Sequence, residues 1–134
     1  DLAAELGCAD SVRFLGVVDD VPGLLRAADV FIFPSIKEGL PVSVVEAQAS
    51  GMSVITSTGV PDLAIVSDRI QRMSLSDGVD AWAAACVEFL RRATVSERND
   101  ACDQVCFHGF DIANTSARLA LFYEGVARGQ QVRY

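Results

Sequence analysis

The chain reads as an α/β domain, a parallel sheet flanked by helices with further helices toward its C-terminal end. Three observations carry that reading. Val30-Phe31-Ile32-Phe33 is an unbroken apolar run of β-branched and aromatic residues, which suits a strand buried on both faces. A loop at Pro34–Pro41 and a helix over about Val42–Ser50 follow it, before a second β-branched stretch at Ser53–Thr56. Strand, helix and strand in that order imply parallel pairing with right-handed crossovers.

The elements can be justified in chain order. Leu2–Leu6 has helical spacing and Gly7 stops it. Val12–Leu15 is predicted as a strand. Gly16–Asp20 is a loop in which Asp19 or Asp20 caps a short helix through about Ala27. A carboxylate pair after a strand also invites a metal reading, and the cap is the simpler account. Pro34 and Ser35 end the Val30–Phe33 strand, because proline has no N–H for the ladder. Pro41 suits a first helical position and Gly51 stops that helix. Ser57–Pro61 is a polar, glycine-containing loop at the carboxyl end of the next strand.

A last short strand is predicted around Ile70–Leu75. Asp77 then caps a helix through about Arg92, with Trp82, Cys86, Phe89 and Leu90 on one face. Helices from about Ser96 to Phe107 and from Asp111 to about Ala127 follow. Trp82, Phe110, Phe122 and Tyr123 stand at helical spacing and read as core rather than as a stacking platform. There is no internal repeat or low-complexity tract.

Length and composition bound the answer. A chain of 134 residues suits one domain with a real core. Its hydrophobic content of 51% and mean hydropathy of +0.31 are high for a free-standing soluble domain. No apolar run approaches the ~20 residues of a membrane helix; the densest, Ala81–Leu90, is broken by Glu88. The chain starts at Asp1 without a methionine or leader pattern, so a piece of a longer protein is expected. A net charge of −7 argues against nucleic acid and anionic membrane as partners of this portion.

Four cysteines do not make a disulfide framework here. Cys102-x3-Cys106-x-His108 could supply helical thiolates and an imidazole to zinc, but no fourth ligand is evident and two thiols on a core face explain the spacing as well. No metal is expected. Free thiols suit a reducing cytoplasm.

The chemistry concentrates between Ile36 and Glu46. A strand, a loop with Gly39 and a helix start bring backbone N–H groups and the positive end of the helix dipole together, an arrangement suited to a phosphate. Glu38 sits in the loop at the carboxyl end of the strand, where open α/β sheets place ligands. Glu46, eight residues on, lies within the helix, and both carboxylates can face one cleft. A carboxylate accepts two hydrogen bonds from a vicinal diol, so a ligand with phosphate and sugar hydroxyls would fit. Separately, Glu38 and Glu46 would pass for ordinary surface charges; their shared strand–loop–helix context favours the site.

These residues resemble a known family. E-G-L-P-V-S-V-V-E at Glu38–Glu46, with F-x-x-P-S before it at Phe31–Ser35 and E-A-x-A-S-G-M-S-V-I-T running on from Glu46, resembles the E-x7-E signature of family 4 retaining glycosyltransferases of the GT-B fold. Val12–Gly16 resembles the strand before the cleft, and Asp20–Val30 the helix leading into the signature strand. Ser74–Ala85 and Phe110–Tyr123 are similar to the branch that builds capsule, exopolysaccharide and O-antigen. The resemblance covers essentially the whole chain, in order.

The resemblance implies a Rossmann-like parallel sheet flanked by helices, half of a GT-B fold, and residues 1–134 as a single nucleotide-sugar-binding domain truncated at its N-terminus. The acceptor domain, and the upstream glycine-rich turn and basic residues that hold the diphosphate, would precede Asp1. By resemblance Glu38 is the catalytic residue and contacts hydroxyls of the donor sugar, while Glu46 holds the ribose. Gly39, Leu40, Pro41 and Val42 make up the donor-binding turn. Backbone N–H groups at Gly39, Leu40 and the start of the helix would hold the diphosphate. Lys37 is a donor-binding candidate, or equally a solvated surface lysine. Relatives often carry G-G-x-P-E where this chain has T-G-V-P-D at Thr58–Asp62.

The expected activity is metal-independent, cofactor-free retaining transfer from a nucleotide-sugar, UDP-linked, to a glycan or lipid-linked acceptor. The isolated chain is expected to be inactive. A non-catalytic nucleotide-binding module and an inert fold fragment are the alternatives, with a GT-B epimerase or phosphorylase as a second enzymatic one. The expected location is cytoplasmic, with peripheral association at the inner face of the membrane for the full-length protein. The truncated sheet should expose an apolar edge, favouring dimerisation or poor solubility.

Overall fold

The computed structural model describes residues 2–92 and 100–130. Their regular elements are α1 (Leu2–Glu5), α2 (Val21–Ala27), β1 (Val30–Phe33), α3 (Val42–Ala49), β2 (Ser53–Ser57), β3 (Ile70–Met73), α4 (Gly78–Arg92), α5 (Ala101–Val105) and α6 (Ile112–Ala127). The sheet has the order β1-β2-β3 and both pairings are parallel, with Val30 opposite Ser53 and Val54 opposite Ile70. This is the Rossmann-like, helix-flanked parallel architecture that the sequence predicts.

Alternation along the strands sorts side chains onto two layers. Phe31, Phe33, Val54 and Ile70 face Val44 and Ala47 of α3 and Leu25 of α2. Val30, Ile55 and Met73 face Trp82 and Ala85 of α4. A third cluster joins Val45 of α3 to Val60, Ala64, Val66 and Val105 of α5, with Phe110 packed against it. The central strand is fully buried along its length. Burying each such Val or Ile contributes about 1.5–3 kcal/mol, so α3 is pinned from two sides before any ligand is considered.

Capping carboxylates start two of the helices. Asp20 accepts from the Gly23 N–H at 2.8 Å to start α2, and Asp111 accepts from the Ala113 N–H at 2.9 Å to start α6. Ahead of α4 the cap is Ser74 rather than Asp77: Asp77 reciprocates, accepting from the Ser74 N–H at 2.9 Å in a capping box over a short turn at Leu75–Asp77.

The structure corrects several expectations. Val12–Leu15 is not a strand: it has no sheet partner, and Phe14 is 84% exposed. In doubly wound sheets a strand just before a sequential parallel run belongs across the switch point, beside other strands, and not on the edge of that run. Pro41 is the N-cap of α3 and not its first helical residue, because its ψ of 97° is extended. Leu90 leaves the apolar face of α4 and Ala85 replaces it. At 100° per residue, Phe89 returns to within ~20° of Trp82 while Leu90 lies ~80° away. Tyr123 is exposed, and the half-buried neighbour Phe122 takes the inward direction. The predicted helix from Ser96 falls in part on residues outside those described; its visible portion is α5, followed by a wide helical turn at Cys106–Phe110 that Gly109, at φ +90°, ends.

Candidate functional site

Because all three strands run parallel, the loop after β1 and the loop after β2 leave the same carboxyl edge of the sheet. They are locked together. The Ser57 hydroxyl donates to the Ser35 carbonyl, and the Glu38 N–H donates to the Gly59 carbonyl at 3.2 Å. A Cβ at Gly59 would stand 2.1 Å from the Ile36 carbonyl oxygen and 2.7 Å from its carbon, both backbone atoms. Only glycine permits that approach. The Ser35 hydroxyl then donates to Glu38 Oε1 at 2.5 Å, which orients a half-buried carboxylate with one oxygen engaged.

The helix start lies next to this pair of loops. Pro41 makes no side-chain cap, and its carbonyl accepts from the Val44 N–H at 3.0 Å and the Val45 N–H at 3.4 Å. Among the described residues the N–H groups of Val42 and Ser43 have no acceptor. They are donors at the positive end of the helix dipole. Val42, Ser43 and Glu46 form the exposed stripe of α3, while Val44, Val45, Ala47 and Gln48 are buried. Helical side chains lean toward the N-terminus, so the Glu46 carboxylate leans over the turn that carries Val42 and Ser43.

Gln48 holds the helix in place from beneath. It is 1% exposed, donates to Val44 O at 3.0 Å and Ala64 O at 2.7 Å, and accepts from Val66 N at 2.9 Å and Ser67 N at 3.0 Å. All its polar capacity is used, so the stretch 64–67 is tied to α3 at fixed distance.

Of the sequence-predicted residues, Glu38 is held by Ser35 and Gly59, and Val42 and Glu46 share one stripe. Pro41 is buried, Gly39 is open to space on its Cβ side, and Leu40 is 41% exposed. Lys37 is exposed and has no partner among the described residues. Sequence reasoning missed Ser35, Ser57, Gly59 and Gln48 as supports. The glycine in the Ser57–Pro61 loop was a visible signal, and so was a glutamine on an otherwise apolar helix face; the two serines carried none.

His108 lies in the turn between α5 and α6, where it lines a cavity of about 440 Å³ with Ser67, Asp68, Asp103 and Phe107. Ser67 and Asp68 precede β3, so this cavity is at the amino edge of the sheet, away from the two loops. Burial pushes the Cys106 thiol above its ordinary value, helped by a hydrogen bond with Cys102 and by the carboxylates of Asp111 and Asp103. All four cysteines are free. Among the described residues no helix is long and apolar enough to cross a membrane.

A parallel sheet with helices on both faces, whose carboxyl-edge loops meet at a glycine contact beside an uncapped helix start, places the chain in the class of Rossmann-like α/β domains. Comparison narrows the class: the profile of the family described as Glycosyl transferases group 1 matches residues 1–92, and the chain belongs to that family. EpsF of Bacillus subtilis (strain 168), named as a glycosyltransferase, is 37% identical over 97 residues, covering 72% of this chain and 24% of that protein. The D-inositol 3-phosphate glycosyltransferase of Salinispora arenicola (strain CNS-205) is 38% identical, over 77% of this chain and 25% of that protein. The UDP-Gal:alpha-D-GlcNAc-diphosphoundecaprenol alpha-1,3-galactosyltransferase of Escherichia coli is 26% identical, over 81% of this chain and 28% of that protein. The chain thus spans about a quarter of the length of the curated relatives it matches. No solved structure gives a significant match.

Proposed function

We propose that the chain is the donor-binding portion of a retaining glycosyltransferase, which moves a sugar from a UDP-sugar to a glycan or lipid-linked acceptor in polysaccharide biosynthesis in the cytoplasm. The observation that carries this reading is the uncapped start of α3, with the Val42 and Ser43 N–H groups open on the exposed stripe that carries Glu46. A diphosphate supplies acceptors for those donors, and the helix dipole favours its charge.

Each residue then has a chemical task. Glu46, leaning over the first turn, accepts from the ribose hydroxyls. Glu38, with one oxygen engaged by Ser35, offers the other to hydroxyls of the donor sugar. As the bond from sugar to diphosphate breaks, negative charge grows on the leaving oxygen, and donors already aimed at it lower the barrier without reorganising. The acceptor oxygen attacks on the face the diphosphate leaves, which retains the anomeric configuration. The scheme is metal-independent: the Val42 and Ser43 N–H groups and the positive end of the α3 dipole meet the diphosphate charge. A family relative named for a UDP-Gal donor and a diphosphoundecaprenol acceptor supports the choice of uridine nucleotide and lipid-linked acceptor.

Calorimetric titration of the chain with UDP and with UDP-N-acetylglucosamine, beside the Glu46→Ala variant, tests this. Saturable binding weakened about tenfold in the variant, the loss of a charged hydrogen bond, is the expected result. Equal affinity in the variant would remove the ribose from Glu46. Absence of binding to the wild-type chain at millimolar ligand would count against donor binding by this portion.

A further inference from the structure

We propose that Arg72 is a positioning residue for the Glu38 loop, acting through Gly59. This rests on the reading of Glu38 as a donor-sugar contact. Arg72 lies on β3, two strands away from the strand that delivers Glu38. Its guanidinium donates to the Val60 carbonyl at 2.7 Å, to the Thr58 carbonyl at 3.3 Å and to Asp62 Oδ1 at 2.5 Å. The Thr58 N–H donates in turn to the Met73 carbonyl at 2.9 Å. The two gripped carbonyls flank Gly59 on either side.

That grip has consequences at Glu38 because Gly59 has no slack. Its carbonyl holds the Glu38 N–H, and its Cα lies against the Ile36 backbone so closely that a methyl group is excluded. Whatever fixes Gly59 therefore fixes the backbone of Ile36 and Glu38. The ion pair with Asp62 is the lesser part of the contact, since the Asp62 side chain is 91% exposed and solvent screens it. One guanidinium nitrogen, Nη2, donates to both carbonyls while Nη1 reaches Asp62, so the planar group is oriented at both ends and its grip on the carbonyls is directional, unlike that of a freely rotating ammonium. The route runs from β3 to the loop after β2 and from there to the loop after β1.

Amide hydrogen exchange by NMR on the chain tests the proposal without any ligand. In Arg72→Met, which keeps the apolar stem, the Glu38 N–H should exchange about tenfold faster while the amides of β2 stay unchanged. Asp62→Asn should leave both within about twofold. Arg72→Lys gives the same comparison, with a smaller effect, if the methionine variant does not fold. An unchanged Glu38 rate in the arginine variants overturns the proposal. So does equal acceleration in β2, which would signal general destabilisation, or an Asp62→Asn variant that matches Arg72→Met. UDP-N-acetylglucosamine is titrated into the same samples, where Arg72→Met should bind about fivefold more weakly. A wild-type chain that fails to bind would count against the donor reading of Glu38, while the exchange rates still decide whether Arg72 positions the loop.

Discussion

Gly59 accepts the backbone N–H of Glu38 at 3.2 Å while its own Cα rests against the Ile36 carbonyl. One residue of the loop after β2 thereby sets the conformation of the loop after β1. The candidate sugar-binding carboxylate depends on a residue 21 positions away in sequence.

Gly59→Ala should therefore disturb the site more than the chain. The added Cβ meets backbone atoms that cannot rotate away, so the two loops must part. A destabilisation of about 1–3 kcal/mol is expected from such overpacking, read by urea unfolding. UDP-N-acetylglucosamine affinity should fall by at least about tenfold, read by titration. Full affinity in this variant would show that the loop contact does not shape the site.

Glu38→Gln separates sugar from nucleotide. The amide keeps the size of the side chain and an oxygen for the Ser35 hydroxyl. Binding of UDP should stay within about twofold, and that of UDP-N-acetylglucosamine should weaken about tenfold. Equal losses for both ligands would move Glu38 away from the sugar.

Gln48→Met is expected to be the most destabilising of these changes. It preserves volume but strands the Val66 and Ser67 N–H groups and the Ala64 carbonyl in a buried setting. A loss of about 2–4 kcal/mol in denaturant unfolding follows from unpaired buried polar groups. A loss below about 0.5 kcal/mol would mean that water or rearrangement satisfies them.

The Cys106 thiol should be the slow one. Its value lies above the ordinary 9.0, for burial first and then for its neighbours Cys102, Asp111 and Asp103. Less thiolate means slower alkylation. At pH 8, iodoacetamide should label exposed Cys8 before Cys106, as mass spectrometry of digests would show. The fold favours the neutral thiol, so its contribution is complete below the unfolded value and is lost as pH rises through the folded one. The stability advantage over Cys106→Ser should shrink above about pH 9.

Much of the frame was legible in the residues. Val30–Phe33 is an uninterrupted run of β-branched and aromatic residues and its span matches β1, but the expected burial on both faces fails: β1 is at the edge of the described sheet and Ile32 is 49% exposed. Gly51 ends the α3 segment at φ +74° as its position predicts, and Asp20 caps as its type predicts. These are local choices, settled by propensity within a few neighbours. Val12–Leu15 has the same apolar character and is not a strand, because pairing needs a partner and the adjacent sheet edge belongs to another position in the topology. Leu90 and Tyr123 missed the core for a related reason: hydrophobicity says that a residue is able to be buried, and the helix phase says whether it is.

The candidate site divides in the same way. By itself the sequence determined that a strand, a glycine-containing loop and a helix start stand in succession, with carboxylates at Glu38 and Glu46, since each follows from residue type and spacing along a few turns of chain. The tertiary structure decided that Gly59 is the contact that fixes Glu38, that Arg72 grips the loop containing it, and that Gln48 anchors the helix carrying Glu46. Those pairings join residues 12 to 21 positions apart. They depend on distances of tenths of an ångström between backbone segments, which parallel register and close packing set and which no local pattern encodes.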